Sequence, residues 1–485
     1  MKTDTIAAIA TALSDSGIGI IRVSGDEAIP IVHKIYRNKR NEDVLSGYQS
    51  HTIHYGFIVE KEGDLIDEVM VSVMKAPHSY TTEDTVEINC HGGALMMKKI
   101  LMTVIEAGAR LAEPGEFTKR AFLNGRMDLS RAEAVMDTIH AKNQFALRSS
   151  IKQLRGSVFD KVKELREKIL YEIAFIESAL DDPEHISLDG YTEKLSDQIS
   201  YLMKELNKLL DSADDGKMLK EGIRTVIVGK PNVGKSSLLN LLVGQDRAIV
   251  TDIAGTTRDT LEETVNLGEF TLNIIDTAGI RNTEDVVEKI GVEKAKTISE
   301  EADLILYVVD SSIPLDENDA DIIRMIKDKK TIILLNKSDL DEVVDKSSVD
   351  ALFSNVCEKK CSLYELSGAE KDENRNDNEN IYMIKISARK NDGLDSLVSL
   401  IKKMFFHGQI SYDDEVCITS SRHKEALLEA LESMKEVQGS LENDMPEDFY
   451  SIDLMNAYAS LGRIIGEEVG DDLVNEIFSK FCMGK

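Results

Sequence analysis

Apolar and polar positions change rhythm several times along the chain, and each change predicts a different kind of structure. Residues 18–23, 68–73 and 85–88 are short Ile- and Val-rich runs of strand length separated by turns, whereas residues 94–106 carry apolar side chains at helical spacing. An α+β region up to about Asn124 follows from that mixture. From Leu129 the apolar positions step by three and four. The series Ile151, Leu154, Val158, Val162, Leu165, Ile169, Ile173, Ile176 and Leu180 predicts one long helix, ended by Asp181-Asp182-Pro183. Leu195, Ile199, Leu202, Leu206 and Leu209 predict a second. Such stripes read as the core of a helical bundle rather than as a cofactor site. Residues 211–222 are polar and predict a linker.

Beyond the linker the period changes again. Apolar runs of strand length at 225–228, 271–275, 304–309, 331–335 and 381–386 alternate with helix-like segments, which predicts a doubly wound α/β sheet. Residues 345–380 turn polar and end in Asp372-Glu373-Asn374-Arg375-Asn376-Asp377-Asn378-Glu379-Asn380, the signature of a solvated insertion. From Arg422 helical spacing returns through Leu427, Leu431, Met434 and Val437, then Leu454, Ala457, Leu461 and Ile464. The economical topology is a multidomain chain with an α+β N-terminal domain (1–123) and an α-helical domain in two parts (124–220 and 405–485). An α/β domain (221–404) is inserted between those parts.

Composition narrows the picture. A chain of 485 residues is too long for one core, and 42% hydrophobic with 30% charged residues is globular composition. There is no run of 18 apolar residues, and Met1-Lys2-Thr3-Asp4 lacks a signal-peptide pattern, so a cytosolic protein without a membrane partner is expected. The five cysteines (Cys90, Cys357, Cys361, Cys417, Cys482) have no paired metal spacing and read as free thiols in a reducing compartment. A net charge of −29 argues against a general nucleic-acid binder, so any RNA contact must be local or shared with a partner.

The candidate chemistry lies in the α/β domain. Gly229-Lys230-Pro231-Asn232-Val233-Gly234-Lys235-Ser236 follows an apolar run and precedes a helix-like segment, which is the pattern of a phosphate loop. Its glycines allow the tight turn, and the stretch from Gly234 to Ser237 opens the anion-binding helix. Lys235 can reach the β- and γ-phosphates, and the Ser236 hydroxyl can bind magnesium. Asp276-Thr277-Ala278-Gly279 ends a strand where Asp276 can hold magnesium through water and the Gly279 N–H can sense the γ-phosphate. Asn336-Lys337-Ser338-Asp339 follows another strand. Asp339 can accept hydrogen bonds from the guanine N1–H and amine, which adenine lacks. Ser387-Ala388-Arg389 completes base recognition through backbone N–H groups. Four motifs in this order, each at a strand end, specify GTP.

Hydrolysis needs a group that orients water. The position after Asp276-Thr277-Ala278-Gly279 is Ile280, where Ras-type GTPases carry glutamine, so another residue must act. The next segment, 281–289, contains three carboxylates, Glu284, Asp285 and Glu288, and composition does not choose among them. Upstream, Thr257 is placed to bind magnesium over the γ-phosphate. Asn232, facing residues 251–259, can cage a monovalent cation with nearby carbonyls, where it would neutralise charge between the β- and γ-phosphates. The plainer role for Asn232 is that of a turn residue after Pro231.

Together with the nucleotide motifs, His91-Gly92-Gly93, the run from Pro114 to Asn124 and the terminal Phe481-Cys482-Met483-Gly484-Lys485 resemble the MnmE (TrmE) family of tRNA-modification GTPases over essentially the whole chain. The resemblance implies a homodimer through a tetrahydrofolate-binding N-terminal domain. It also implies an MnmG-like flavoprotein partner carrying FAD in a heterotetramer, and tRNA whose wobble uridine is modified at carbon 5 with an aminomethyl or carboxymethylaminomethyl group. Carried over by motif, Asn232, Thr251, Ile253 and Thr256 would bind potassium, with Thr251, Thr256 and Thr257 at the GTP site. Glu288 would be the catalytic acid. Arg22, Glu87, Arg126 and Lys485 would contact 5-formyltetrahydrofolate or a related folate. Two departures are Arg126, where lysine is usual, and Met483, where isoleucine is usual; both keep charge or bulk. Cys482 reads as a small packed residue before it reads as a nucleophile. A rival reading is an Era- or Der-like ribosome-assembly switch, which would require neither the N-terminal α+β domain nor the helical flanks nor the Cys-x-Gly-Lys end. A protein that only binds folate and GTP is a third, and Glu288 argues against it.

Overall fold

The computed structural model describes residues 4–40, 45–60, 63–182, 184–185, 190–244, 263–275, 302–327, 329–356, 364–365, 381–406, 416–443, 445–467, 469–482 and 484. The chain divides into two compact units, one of Met1–His140, Ser150–Leu206 and Glu425–Lys485, the other of Ala141–Ser149 and Asn207–Lys424.

The first unit begins with a mostly antiparallel sheet. Its strands are β1 (Ile6–Ile9), β2 (Gly19–Ser24), β3 (Tyr36–Asn38), β4 (Thr52–Val59), β5 (Leu65–Met74), β6 (Thr85–Cys90) and β7 (Arg110–Leu111), ordered β3-β4-β5-β6-β2-β1-β7. Strict alternation in β6 sends Val86, Ile88 and Cys90 into the core and Glu87 and Asn89 to the other face. The helices Ala28–Ile35 and Ala94–Glu106 close that core with Ile31, Val32, Met97, Ile100 and Val104. Beside it, the helix Glu447–Ile465 packs along Ser157–Asp181, burying Leu454, Ala457, Leu461 and Ile464 with Val158, Val162, Leu165 and Ile169.

The expected single helix over 151–180 is two. Gln144–Arg155 and Ser157–Asp181 are separated by Gly156, which has φ +105°, and a Cβ there would lie 2.1 Å from the Arg131 guanidinium. The stripe continued in register across the break, so periodicity alone missed it. The expected linker 211–222 is also corrected: the helix Tyr191–Glu221 runs through nearly all of it. Ala213, Gly216 and Leu219, three apart, are buried, and Gly216 lies against Ile418 so closely that a Cβ would sit 2.3 Å from its carbonyl. A small-residue contact leaves little hydrophobic signal.

The second unit holds a sheet ordered β13-β14-β12-β11-β8-β10-β9. These are β8 (Ile223–Val228), β9 (Glu263–Asn266), β10 (Thr271–Ile274), β11 (Leu304–Asp310), β12 (Thr331–Asn336), β13 (Tyr364–Glu365) and β14 (Ile381–Lys385). All its pairings are parallel except β9 with β10. Both faces are covered. Lys235–Gly244 and Leu394–Phe406 pack on one, through Leu238, Leu242, Leu397 and Ile401. Glu317–Ile326 and Lys346–Val356 cover the other, through Ile323, Ile326, Val349 and Phe353. The last helix corrects the reading of 345–380 as wholly solvated, because Val349, Leu352, Phe353 and Val356 form an apolar stripe within polar sequence.

Candidate nucleotide-binding site

The buried strand β8 delivers the chain to a turn that only particular residues can make. Gly229 has φ +151°, and a Cβ on it would lie 2.4 Å from the Val308 carbonyl of the neighbouring β11. Gly234 has φ +103°, and a Cβ on it would lie 2.2 Å from Asn336 Nδ2. Between them Asn232 takes φ 62°, a left-handed conformation that Asn tolerates better than most side chains. The helix Lys235–Gly244 follows at once, so its first N–H groups face the loop.

Asn336, at the end of β12, ties two of the motifs together. Its Nδ2 donates to the Val233 carbonyl at 2.8 Å and its Oδ1 accepts the Ala388 N–H at 3.1 Å. Both side-chain poles of a residue only 2% exposed are thus used to hold the phosphate loop against the segment after β14. Ser387 Oγ donates to Asp339 Oδ1 at 2.8 Å, which holds the Asp339 carboxyl below the usual carboxylate range and keeps it an acceptor. Gly393, with φ +86°, closes the turn in which Ser387 and Asp392 bridge.

Lysines set the charge of the site. Lys235 Nζ donates to the Gly229 and Lys230 carbonyls at 2.8 and 2.7 Å, and burial lowers its pKa. Lys337, with φ 64°, donates from Nζ to Asp310 Oδ2 at 2.5 Å. Burial pushes the Asp310 carboxyl up, but the Lys337 ammonium and the Ser312 hydroxyl and N–H outweigh it and hold it below its ordinary value. A cavity of about 100 Å³ lies here, lined by Lys230, Asn232, Asp310, Ile313, Leu315 and Lys337 among others.

The structure therefore brings together Asn232, Gly234, Lys235, Ser236, Ser237, Asn336, Lys337, Asp339, Ser387 and Ala388, in loops that follow strand ends of one sheet and in the first turn of the helix Lys235–Gly244. The expected residues Thr251, Ile253, Thr256, Thr257, Asp276, Gly279, Glu288 and Lys485 lie outside the described residues. Sequence reasoning missed the partners that fix the lysines: Asp310 for Lys337, and Asp316 and Asp319 for Lys230. The spacing Asp316-x-x-Asp319 was a readable signal, since it forms a capping box for the helix Glu317–Ile326.

A second convergence lies in the first unit. Arg22 on β2 pairs in register with Glu87 on β6, Nε to Oε1 2.8 Å, and its Nη1 donates to the Gly484 carbonyl at 3.1 Å. The guanidinium groups of Arg22 and Arg126 lie 5.5 and 4.7 Å from the centre of the Tyr80 ring, and Arg126 Nη1 donates to the Tyr80 carbonyl at 2.9 Å. Tyr80 is the member that sequence reasoning missed, because an aromatic residue in a turn has no distinguishing pattern. The segment reaching Gly484 is docked by Phe478 and Phe481 against Phe122 and Leu129, and Gly115, at φ +69°, leaves room for the Phe478 carbonyl. Underneath, Arg120 meets Asp4, Glu116 and Glu83 at 2.7, 2.9 and 3.1 Å.

The chain matches the family model of the GTP-binding protein TrmE N-terminus over residues 5–126 and that of the MnmE helical domain over residues 129–482. Among its relatives is the tRNA modification GTPase MnmE of Lachnoclostridium phytofermentans, 56% identical over 485 residues and 100% of both chains. The protein of the same description from Clostridioides difficile is 47% identical over 99% of each chain, and that from Acetivibrio thermocellus 45% identical over 100% of each. With the glycine loop at residues 229–236 held by Asn336 to the segment after β14 and relatives of this kind along its full length, the chain belongs to the MnmE family of tRNA modification GTPases.

Proposed function

We propose that the chain is a potassium-stimulated GTP hydrolase that works with an MnmG-like flavoprotein. Together they modify carbon 5 of the wobble uridine of certain tRNAs, adding an aminomethyl or carboxymethylaminomethyl group from a one-carbon folate. The observation that carries the reading is Asn336, whose two poles hold the phosphate loop and the base-recognition segment at once. Asp339, kept ionised by Ser387, selects guanine because an adenine would leave that carboxylate unpaired.

Among the described residues the donor set fits metal ions: Ser236 carries a hydroxyl in the first turn of the helix that begins at Lys235, and Asn232 carries a side-chain carbonyl oxygen in the left-handed turn of the same loop. Ser236 and Thr257 would hold magnesium, and Asn232, Thr251, Ile253 and Thr256 potassium. Bound there, the two cations supply positive charge against the β- and γ-phosphates. Lys235 binds the same phosphates, and Glu288 orients the attacking water.

Arg22, Glu87 and Arg126, with Lys485 beside Gly484, suit a folate, whose carboxylates and pterin edge need both guanidinium donors and a carboxylate acceptor. The folate supplies the one-carbon unit. In this reading residues 1–123 bind folate and form the homodimer, 221–404 are the GTPase domain, and 124–220 with 405–485 are the helical domain. FAD is carried by the partner, and the protein works in the cytoplasm. Among the described residues no helix is long and apolar enough to cross a membrane.

Reconstitution with the flavoprotein, a one-carbon folate, GTP and unmodified tRNA tests this reading by mass spectrometry of the digested tRNA. A wobble uridine substituted at carbon 5, formed in potassium but not in sodium, is expected. GTP turnover with an unaltered tRNA would overturn the modifying role while leaving the nucleotide site intact.

A further inference from the structure

We infer that Lys230, the second residue of the phosphate loop, is a positioning residue that anchors the loop to the helix Glu317–Ile326 through Asp319 and Asp316. Its Nζ donates to Asp319 Oδ2 at 2.7 Å and to Asp316 Oδ2 at 3.0 Å. Asp319 is 1% exposed, and its other oxygen accepts the hydroxyl of the buried Tyr307 on β11 at 2.7 Å. The Asp316 N–H also donates to Asp319 Oδ2, at 2.9 Å, which completes the helix cap.

The arrangement is not an incidental surface pair. A cation at a helix N-terminus opposes the helix dipole, so Lys230 is held there by the two carboxylates and not by the helix. Burial works against its charge, yet Asp319 and Asp316 outweigh burial and raise its pKa. The other pole of the same residue faces the reaction site: the Lys230 carbonyl accepts Lys235 Nζ at 2.7 Å. Lys230 is thus fixed by its side chain while its carbonyl meets the phosphate-binding lysine. The rigid Pro231 and left-handed Asn232 follow immediately, so a rotation at Lys230 would swing both the carbonyl and the turn that carries Asn232.

This inference rests on the guanine-nucleotide reading, and GDP binding to the full chain, measured by titration in magnesium buffer, separates the two. Lys230→Met is expected to weaken GDP at least tenfold, with Lys230→Arg within about threefold of the unaltered protein. Because Asp319 is buried and its loss would disturb folding, the exposed Asp316 serves as the second arm. Asp316→Asn should weaken GDP less than Lys230→Met, and the double variant should be no worse than Lys230→Met alone. Unchanged affinity in Lys230→Met, or a double variant whose loss is the product of the two single losses, would overturn the positioning role. Absence of GDP binding by the unaltered protein would overturn the nucleotide reading and this inference with it.

Discussion

The two sites are assembled in opposite ways. In the second unit the described candidate residues follow strand ends of one mostly parallel sheet or open the helix Lys235–Gly244, and hydrogen bonds to backbone groups fix two that anchor the rest: Asn336 to Val233 and Ala388, and Lys235 to Gly229 and Lys230. In the first unit the convergence at Arg22 joins residues far apart in sequence, Glu87 from another strand and Gly484 from the other end of the chain. A buried charge cluster around Arg120 underlies it. Backbone-defined sites tolerate change in most side chains but not in their glycines and Asn336. Charge-defined sites depend on every partner being present.

The sharpest break in that comparison is expected from Arg120→Met. It removes the guanidinium that joins Asp4, Glu83 and Glu116, with Glu116 keeping its pairing to Arg110 at 2.6 Å, and breaking a buried pair of this kind typically costs about 3–5 kcal/mol. The urea midpoint of the first unit should fall accordingly, with GDP affinity retained, and an unchanged midpoint would show that the cluster contributes nothing to stability. Asn336→Ala should behave in the mirror image. Losing its bonds to Val233 and Ala388 should weaken GDP by about 3 kcal/mol, roughly a hundredfold, by titration calorimetry. An effect under threefold would mean that the loops hold each other without the staple.

Glu288→Ala sharpens the division within the nucleotide unit. Turnover should drop by at least about tenfold while GTP affinity stays within a few-fold, as for a group that acts only in the transition state. Weakened binding would instead mark Glu288 as structural.

The smallest effect concerns His91. Its Nδ1 lies 2.7 Å from Asp67 Oδ1, and this hydrogen bond raises the imidazole pKa above its ordinary 6.5. A raised folded-state pKa stabilises the fold fully below the unfolded value, and the contribution is lost as pH rises through the folded one. An NMR titration midpoint above 6.5 is expected, falling back in Asp67→Asn; a midpoint at or below 6.5 would remove Asp67 as the cause.

The same contrast explains what could be read from the chain. Strands β8, β11, β12 and β14 were legible because a parallel sheet buried on both faces leaves uninterrupted apolar runs, and the motifs at their ends are contiguous. Of the second site, Arg22, Glu87, Arg126 and Lys485 came only from family resemblance, since nothing local marks residues 22, 87 and 484 as neighbours. Tyr80 was missed for the same reason. The helix break at Gly156 and the helical course of 211–221 were hidden because one glycine did not interrupt the stripe and small-residue packing does not create one.

The most direct test of the account is GTP turnover by the full chain in matched potassium and sodium buffers. A rate at least tenfold higher in potassium, equivalent to about 1.4 kcal/mol in the barrier, is the result expected if Asn232 and its neighbours hold the cation against the phosphates. Equal rates in the two salts would contradict cation-driven hydrolysis.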